Sequence, residues 1–281
     1  SAASDVYKRQ ELTVTHQNQL ENGLFYSISG MINKNKNELT SFGEDEIGTY
    51  SIKREGQPWN TFYLYQWDGI FQSEEEIANH AEQPYNPQPG DLKYKDVSGP
   101  DGVPDGKIDS NDKVLVDGRF PKFEYSFNLN LEYKNFYVSA FFQGVQGIKF
   151  YVGGWGFEPF CQGGAPTVDW LTERWTPENP TNEKPRIYVG RETPGMSNMP
   201  STYFLQNGSY FRLKNLQVGY TFKQKWLQTI KINSLRLYFS GDNLFTITQY
   251  PYLDPERSSS DGSFALYPQN RVLSLGASVN F

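Results

Sequence analysis

The chain has 281 residues, of which 16% are aromatic and only 37% hydrophobic, and its formal net charge is -6. A negative chain without a cluster of Lys and Arg argues against nucleic-acid binding. The single Cys161 excludes an internal disulfide and a Cys-based zinc site. No apolar run is long enough for a membrane-spanning helix, whereas a composition rich in aromatic and poor in aliphatic residues suits strands that carry apolar rings on one face.

The N-terminal part of the chain changes character after its first ten residues. Residues 1–10 are more polar and less patterned than the rest of the chain, and they lack the regions of a secretory signal, so we interpret them as a truncated or non-native start. Residues 11–281 are expected to form one domain. Alternation of apolar and polar residues predicts strands over 11–19 and 24–32, with a weaker candidate over 61–65.

The clearest period-two pattern lies in the middle of the chain. Every odd position of residues 123–133 is apolar or aromatic, and every even position is polar. The turn-like pair Lys134–Asn135 comes next, and the alternation then resumes from Phe136 to Phe142. This pattern predicts a hairpin of two strands. Each strand has roughly the ten residues that a tilted strand needs to cross a bilayer.

Three more strands are predicted near the C-terminus, over 210–222, 235–243 and 272–281, which brings the total to roughly eight. The parity of the first shifts at Lys214–Asn215, which predicts a β-bulge. Short connections alternate with the long segments 33–121, 147–209 and 248–271, a layout typical of outer-membrane barrels. Short helices are expected after Ser73, where Ser73 to Glu76 makes a capping box, and over 168–175.

Several stretches together carry a resemblance to one known family. They are Asp68–Gly69–Ile70–Phe71–Gln72 followed by Glu74–Glu75–Glu76–Ile77, Pro89–Gly90–Asp91–Leu92–Lys93–Tyr94–Lys95–Asp96, Pro121–Lys122–Phe123, Ala140–Phe141–Phe142–Gln143–Gly144, Arg174–Trp175–Thr176–Pro177–Glu178–Asn179–Pro180, Phe211–Arg212–Leu213–Lys214–Asn215–Leu216–Gln217–Val218–Gly219–Tyr220, Ser240–Gly241–Asp242–Asn243–Leu244 and Leu253–Asp254–Pro255–Glu256. In this order they resemble the SusC/RagA family of TonB-dependent outer-membrane transporters. The resemblance covers nearly everything after Leu12.

This resemblance implies an all-β fold, namely a segment of an antiparallel transmembrane β-barrel with long extracellular loops. Family barrels have 22 strands and an N-terminal plug, so this chain is expected to be the C-terminal part of the barrel without the plug. The implied function is import of glycans, peptides or other bulky nutrients at the outer membrane, with no enzymatic activity. The implied partners are a SusD-like surface lipoprotein, the lipid bilayer, and the TonB complex through the missing N-terminal part.

The faces of the strands follow from the same patterns. Even positions of 24–32 and odd positions of 123–133 and 272–281 are expected to face lipid. Glu124, Asn128, Asn130 and Glu132 are expected to line the lumen. Tyr220, Phe222 and Trp226 are expected to belong to an interfacial aromatic girdle.

The segment 96–112 is the densest cluster of carboxylates and glycines. Counting from Asp101, the spacing of a twelve-residue calcium loop places oxygen ligands at Asp101, Asp105, Asp109 and Asp112, with Gly106 at the sharp turn. Val103 stands where such loops have an oxygen ligand, and the last ligand is Asp rather than Glu. The alternative is a loop of Asx and glycine turns that binds no metal, because Asp and Gly are also the commonest turn formers.

A second candidate site lies in a glycine-rich loop. Tyr151, Trp155 and Phe157 crowd the segment 151–157, where exposed rings could stack on sugar faces or contact a partner protein. The alternative is that these rings pack the loop against its neighbours.

Two other functions compete with the barrel. A soluble all-β glycan-binding module would require the apolar faces to meet in one core. A secreted glycosidase would require a pair of catalytic carboxylates, which the sequence does not single out. For the barrel segment we expect an open, curved sheet in which 272–281 pairs on one side only. A small barrel closed between 272–281 and 11–19 is the competing possibility.

Overall fold

The computed structural model describes residues 4–196, 198–223, 225–252, 254–256 and 267–281. In chain order the strands are β1 Ser4–Gln19, β2 Leu24–Ser41, β3 Glu46–Ile47, β4 Ser51–Lys53, β5 Thr61–Tyr65, β6 Trp67–Ile70, β7 Leu92–Tyr94, β8 Lys113–Val116, β9 Phe123–Tyr133, β10 Phe136–Gln146, β11 Lys149–Tyr151, β12 Leu205–Asn207, β13 Tyr210–Phe222, β14 Ser234–Thr248 and β15 Val272–Asn280. The α-helices are α1 Glu74–Ala78, α2 Val168–Glu173 and α3 Lys225–Thr229, and 3-10 turns span Ser110–Asp112, Cys161–Gly163 and Thr202–Phe204.

The largest element is a seven-stranded antiparallel sheet in the order β1, β2, β9, β10, β13, β14, β15. Within the described ranges, β15 pairs only with β14, and β1 pairs only with β2. No ladder joins β15 to β1 in that part of the chain, so the sheet is open. The expected open sheet is confirmed, and the closed small barrel is not formed.

The register aligns the period-two patterns of all seven strands. Ile28 of β2 lies opposite Leu129, which lies opposite Ala140. Ala140 in turn faces Leu216 of β13. Because side chains alternate between the faces of a sheet, this register collects the apolar positions on one face, which we call the outer face. The polar positions form the reverse side, the inner face.

A β-bulge in β13 keeps the two faces separate along the whole strand. The register with β14 shifts between Leu213 and Asn215, and the register with β10 shifts at the same place. The extra residue, Lys214, therefore brings two consecutive side chains, Lys214 and Asn215, to the inner face. This explains the change of parity in the sequence and confirms the predicted bulge.

The strands extend further than the apolar alternation indicated. β1 begins at Ser4 instead of residue 11, because residues 4–10 pair with residues 34–41 of β2. β2 continues to Ser41, nine residues beyond Ile32. Its alternation ends at Ile32 because the outward positions beyond it are Lys34, Lys36 and Glu38, which are charged. Charge ends the apolar pattern without ending the ladder of backbone hydrogen bonds.

The strand predicted over 61–65 exists, but it belongs to a different sheet. β5 pairs with β4 and β8 in a four-stranded sheet that is separate from the large one. Phe62 and Leu64 of β5 are fully buried. The large sheet therefore contains seven of the roughly eight expected strands. The short apolar run of residues 61–65 belongs to the core of the smaller sheet.

The described parts of the three long connections fold together at one end of the large sheet. We call residues 42–122, 147–196, 198–209, 249–252 and 254–256 the cap. A single apolar cluster joins them, in which Leu92, Trp170 and Phe204 are among the buried members. Tyr50 stacks on Tyr151 with ring centroids 4.5 Å apart, which ties the first two segments together. The long loops are therefore one packed body.

Both predicted short helices lie in the cap. The hydroxyl of Ser73 accepts the backbone N–H of Glu76 and begins α1. The Glu76 carboxylate accepts the backbone N–H of Gln72 instead of that of Ser73, so only half of the predicted capping box forms. α2 covers the second predicted position and buries Trp170. In the parts of the chain that are described, no helix combines the length and the apolar character needed to cross a membrane.

Three glycines in the large sheet, Gly144, Gly219 and Gly276, are covered by tyrosine rings from the neighbouring strand. A Cβ atom at Gly219 would lie 2.3 Å from the ring of Tyr137, and one at Gly276 would lie 2.2 Å from the ring of Tyr238. Tyr137 is directly opposite Gly219 in the register. The tyrosine ring occupies the space that a glycine side chain would otherwise fill. Such a cross-strand pair of an aromatic residue with glycine offsets the low stability of glycine in strands.

We expect Gly219→Ala to destabilise the sheet by about 1–3 kcal/mol, because the methyl group would displace the Tyr137 ring in a packed interface. Gly30 in β2 is the matched control, since a Cβ atom there would meet nothing within 4 Å. Gly30→Ala should be neutral or slightly stabilising. Denaturant unfolding of the full-length receptor in detergent measures both, and equal midpoints for the two variants would contradict the packing described.

Candidate functional site

The outer face of the large sheet is apolar and open to its surroundings. Leu275 is 87% exposed, Ile247 64% and Phe136 58%. Exposed apolar patches of this extent mark interaction sites with protein or membrane. On β2 the apolar outward positions run from Leu24 to Ile32, about 27 Å along the strand at the usual rise per residue. The nine residues of this run are about the number that a tilted strand needs to cross a bilayer.

Aromatic rings concentrate towards both ends of the apolar band. Near the short turns, Tyr220 contacts Phe136 and Phe222, with ring centroids 4.6 Å apart in both pairs. Towards the cap, Phe211 stacks on Phe142 at 5.5 Å and on Tyr125 at 6.1 Å. Trp226 of α3, at the short-turn end, is 57% exposed. The placement of these rings is that of the two aromatic girdles of membrane barrels.

The inner face is polar, and its side chains bind one another across the strands. The Ser139 hydroxyl donates to Asn130 Oδ1 at 2.8 Å, and Asn215 Nδ2 donates to Asp242 Oδ1 at 2.7 Å. Asn33 Nδ2 donates to Glu124 Oε2 at 3.1 Å. These residues include two of the four predicted lumen positions. A face of this kind can line an aqueous channel or pack against a polar body.

At the cap end of the inner face, four charged side chains form a network. The Arg212 guanidinium donates to Asp254 Oδ1 at 2.8 Å and to Glu256 Oε2 at 2.6 Å. Lys214 Nζ lies 2.9 Å from Glu256 Oε1. The side chains of Arg212 and Asp254 are only 3% and 6% exposed. The network therefore fixes residues 254–256 of the cap against β13.

Lys214 shares a face with Arg212 by ordinary alternation. The bulge lets this face be the inner one, although Leu216 and Val218 further along the strand point outward. Arg212 and Asp254 are 42 positions apart in the sequence, and nothing in that spacing predicts an ion pair between them. The family resemblance was the only available signal, since Phe211 to Asn215 and Leu253 to Glu256 both carry it. Leu253 itself lies outside the described residues.

Other blocks of the resemblance meet inside the cap. Gly90 has φ +96°, and a Cβ atom there would lie 2.4 Å from Trp175, so both the backbone conformation and the close approach require glycine. Trp175 Nε1 donates to Gln72 Oε1 at 2.9 Å. The Ile70 backbone N–H donates to Asn182 Oδ1 at 3.0 Å. Residues distant in sequence therefore form one structural unit.

Asp91 follows Gly90 and is completely buried. Burial raises the pKa of its carboxyl group to about 6, although the Gln88 backbone N–H and the Tyr188 hydroxyl donate hydrogen bonds to it. Arg186 lies over the Tyr188 ring and donates to Pro89 O at 3.1 Å. The carboxylate thus links the turn at 88–91 to the segment 186–191.

Three of the four carboxylates of the proposed calcium loop, those of Asp105, Asp109 and Asp112, accept backbone N–H groups within the loop. Asp112 is fully buried and accepts the backbone N–H groups of Val97 and Ser98 with one oxygen and that of Asp109 with the other. Asp109 and Asp105 each accept a backbone N–H two residues further on. Across the described residues, no group of three His, Cys, Asp or Glu converges as metal ligands do. This geometry favours the turn alternative.

The three aromatic residues of the proposed ligand site lie in different environments. Phe157 is 7% exposed and belongs to the apolar cluster of the cap. Tyr151 packs between Tyr50 and Phe204. Only Trp155 is open, with 50% exposure. The structure therefore does not present the three rings as one surface, and a ligand-binding role stays a prediction for Trp155 alone.

Three TonB-dependent receptors are similar to this chain in sequence. TonB-dependent receptor P3 of Formosa agariphila is 27% identical over 98% of the chain, and receptor P26 of the same organism is 30% identical over 89%. TonB-dependent receptor SusC of Bacteroides thetaiotaomicron is 37% identical over 31% of the chain. The chain is related to SusC/RagA-like TonB-dependent receptors. No protein-family model matches the sequence.

Solved structures show the same SusC/RagA-like fold. The RagAB peptide importer in its open-open state superposes over 99% of this chain with a TM-score of 0.74 and 21% identity, and a second structure of the RagAB transporter gives the same score. The chain spans only 28% and 26% of the two Formosa receptors and 29% of the first RagAB chain. An open sheet of seven strands agrees with this partial span.

We expect Arg212→Met to release residues 254–256 from β13, because Asp254 and Glu256 would lose the guanidinium that pairs with them. Breaking one partner of a buried ion pair costs about 3–5 kcal/mol. Hydrogen exchange of the amides of 249–256 in the full-length receptor reports the release. Lys214→Met is the matched control and should have a smaller effect, since Arg212 still pairs with both carboxylates. Unchanged protection in the Arg212 variant would contradict the anchoring role.

The calcium loop is tested by calorimetric titration of calcium into the full-length receptor and into an Asp105→Ala/Asp109→Ala variant. The turn geometry predicts identical heats for the two proteins. A binding heat that only the unchanged receptor shows would establish the calcium site instead.

Proposed function

We propose that this chain forms seven consecutive strands, and the surface cap above them, of a TonB-dependent importer in the outer membrane. The observation that carries the proposal is the two-faced sheet, with its exposed apolar outer face bordered by aromatic rings and its polar inner face. The named relatives support it, since all three are TonB-dependent receptors. In this arrangement the outer face contacts lipid and the inner face lines the lumen.

The cargo that fits this proposal is a bulky nutrient, either a glycan or a peptide. The cap supports it, because it is a packed body at one end of the sheet, anchored to the lumen side through Arg212, where a large substrate would enter. The RagAB structures are described as a peptide importer. We propose that a SusD-like surface lipoprotein presents the cargo to the cap and that the TonB complex supplies energy through parts of the receptor outside this chain.

The soluble glycan-binding module is disfavoured by the same sheet. Its apolar face would have to be covered by a second layer of the protein. In the described part of the chain the cap has its own core and leaves the outer face open.

The proposal predicts different costs for arginine at neighbouring positions of β9. Leu129→Arg, on the outer face near mid-strand, should destabilise the assembled receptor by about 2–4 kcal/mol, because a charge would face hydrocarbon. Asn128→Arg and Asn130→Arg should cost much less, since both point to the lumen. The measurement is the amount of folded receptor in the outer-membrane fraction, together with growth on glycans or peptides as sole nutrient.

Equal losses of folded receptor in the Leu129→Arg and Asn128→Arg variants would contradict the assignment of the outer and inner faces. Normal folding of all three variants without detergent or lipid would favour the soluble module instead.

A further inference from the structure

Just above the apolar band, the outer face carries Lys8, Lys34 and Lys36, and Lys122 adjoins them from the edge of the cap. We call these four side chains the lysine cluster. The outward positions of β2 change from Ile28 and Ile32 to Lys34 and Lys36 within four residues of Ile32. All four lysines are exposed on the surface, and Lys122 also borders the cap.

A cleft of about 630 Å³ lies between the lysine cluster and the cap. Lys34, Lys36 and Lys122 line it, together with the carboxylates of Glu38 and Asp117 and the rings of Phe120 and Phe123. The ammonium group of Lys34 lies 5.8 Å from the centroid of the Phe123 ring. The cleft thus combines positive groups with an apolar floor at the point where the apolar band ends.

Positive charge in the cluster is only partly balanced. Lys8 lies directly opposite Lys36 in the register, and like charges in that position repel. Glu38 pairs with Lys36 at 2.7 Å, and Asp117 pairs with Lys122 at 3.2 Å. Over the described ranges neither Lys8 nor Lys34 forms a salt bridge, so four lysines face two carboxylates. An anion bound between them would relieve the repulsion.

The height of the cluster determines which anion it meets. Lys34 is two residues beyond Ile32, about 7 Å further along the strand. If the apolar band lies in hydrocarbon, the ammonium groups of Lys34 and Lys36 lie at the level of the lipid head groups. Lysines near the end of a spanning segment extend their charged ends into that layer, where they attract anionic lipids.

We propose that the lysine cluster binds the phosphate group of an anionic lipid in the leaflet on the cap side, with the acyl chains of that lipid lying on the apolar outer face below. This inference rests on the proposed function, because it requires the sheet to lie in a membrane. A bound lipid would hold the base of the cap at a fixed height above the bilayer. Free phosphate has no acyl chains to occupy the outer face, so it is expected to bind far more weakly.

The test uses the full-length receptor in neutral detergent, titrated with diphosphoryl lipid A and followed by native mass spectrometry. Lys34→Gln/Lys36→Gln should weaken binding by about 25-fold, since each lysine near a charged surface contributes about fivefold. Lys34→Arg/Lys36→Arg keeps both charges and should retain most of the affinity. Lys107→Gln removes an exposed lysine from the cap and is the matched control.

Three outcomes would overturn the proposal: equal binding of dephosphorylated lipid A, equal binding by the Lys34→Gln/Lys36→Gln variant, or displacement of the lipid by equimolar inorganic phosphate. Each leaves the proposed function intact if the variants still assemble in the outer membrane. Failure of the unchanged receptor to enter a membrane would instead overturn the proposed function.

Discussion

The requirement that an exposed apolar face must lie outside water governs this structure. Seven strands bring their apolar positions to one side through a register that is continuous from β1 to β15. The position of every other feature depends on that face. The polar reverse side can face a channel, the aromatic rings sit at the ends of the band, and charged residues begin where the apolar residues end. The β13 bulge preserves this division where the cap is anchored to the sheet.

The cap shows how long surface connections can share one apolar core. Its apolar cluster draws members from residues 65–108 of the first connection and 150–204 of the second, and Tyr250 and Tyr252 pack against it from the third. Buried polar groups fix its turns, as Asp112 does for the segment 96–112. Because Arg212 links the cap to the inner face, movements of the cap and changes in the lumen are expected to be coupled.

Sequence periodicity was enough to find the seven long strands, the hairpin of β9 and β10, and the bulge, because each is a local pattern. It failed where polarity changed without a change in backbone structure, as along β2 beyond Ile32. It could not decide where rings are buried by distant segments: Phe157 was a candidate for either ligand contact or loop packing, and it lies in the cap core. The ion network forms because the fold brings Arg212 and Asp254 together. The spacing of these two residues in the sequence does not predict this contact.

The most direct test of the central claim is accessibility scanning of β9 in the lipid-reconstituted full-length receptor. A spin label placed at each position from 124 to 132 is exposed to oxygen, which concentrates in hydrocarbon, and to a water-soluble nickel complex. The account predicts oxygen accessibility that is high at odd positions and low at even ones, with no access of nickel to the odd positions near Leu129. Nickel access to those odd positions, or the loss of the two-residue period, would contradict it.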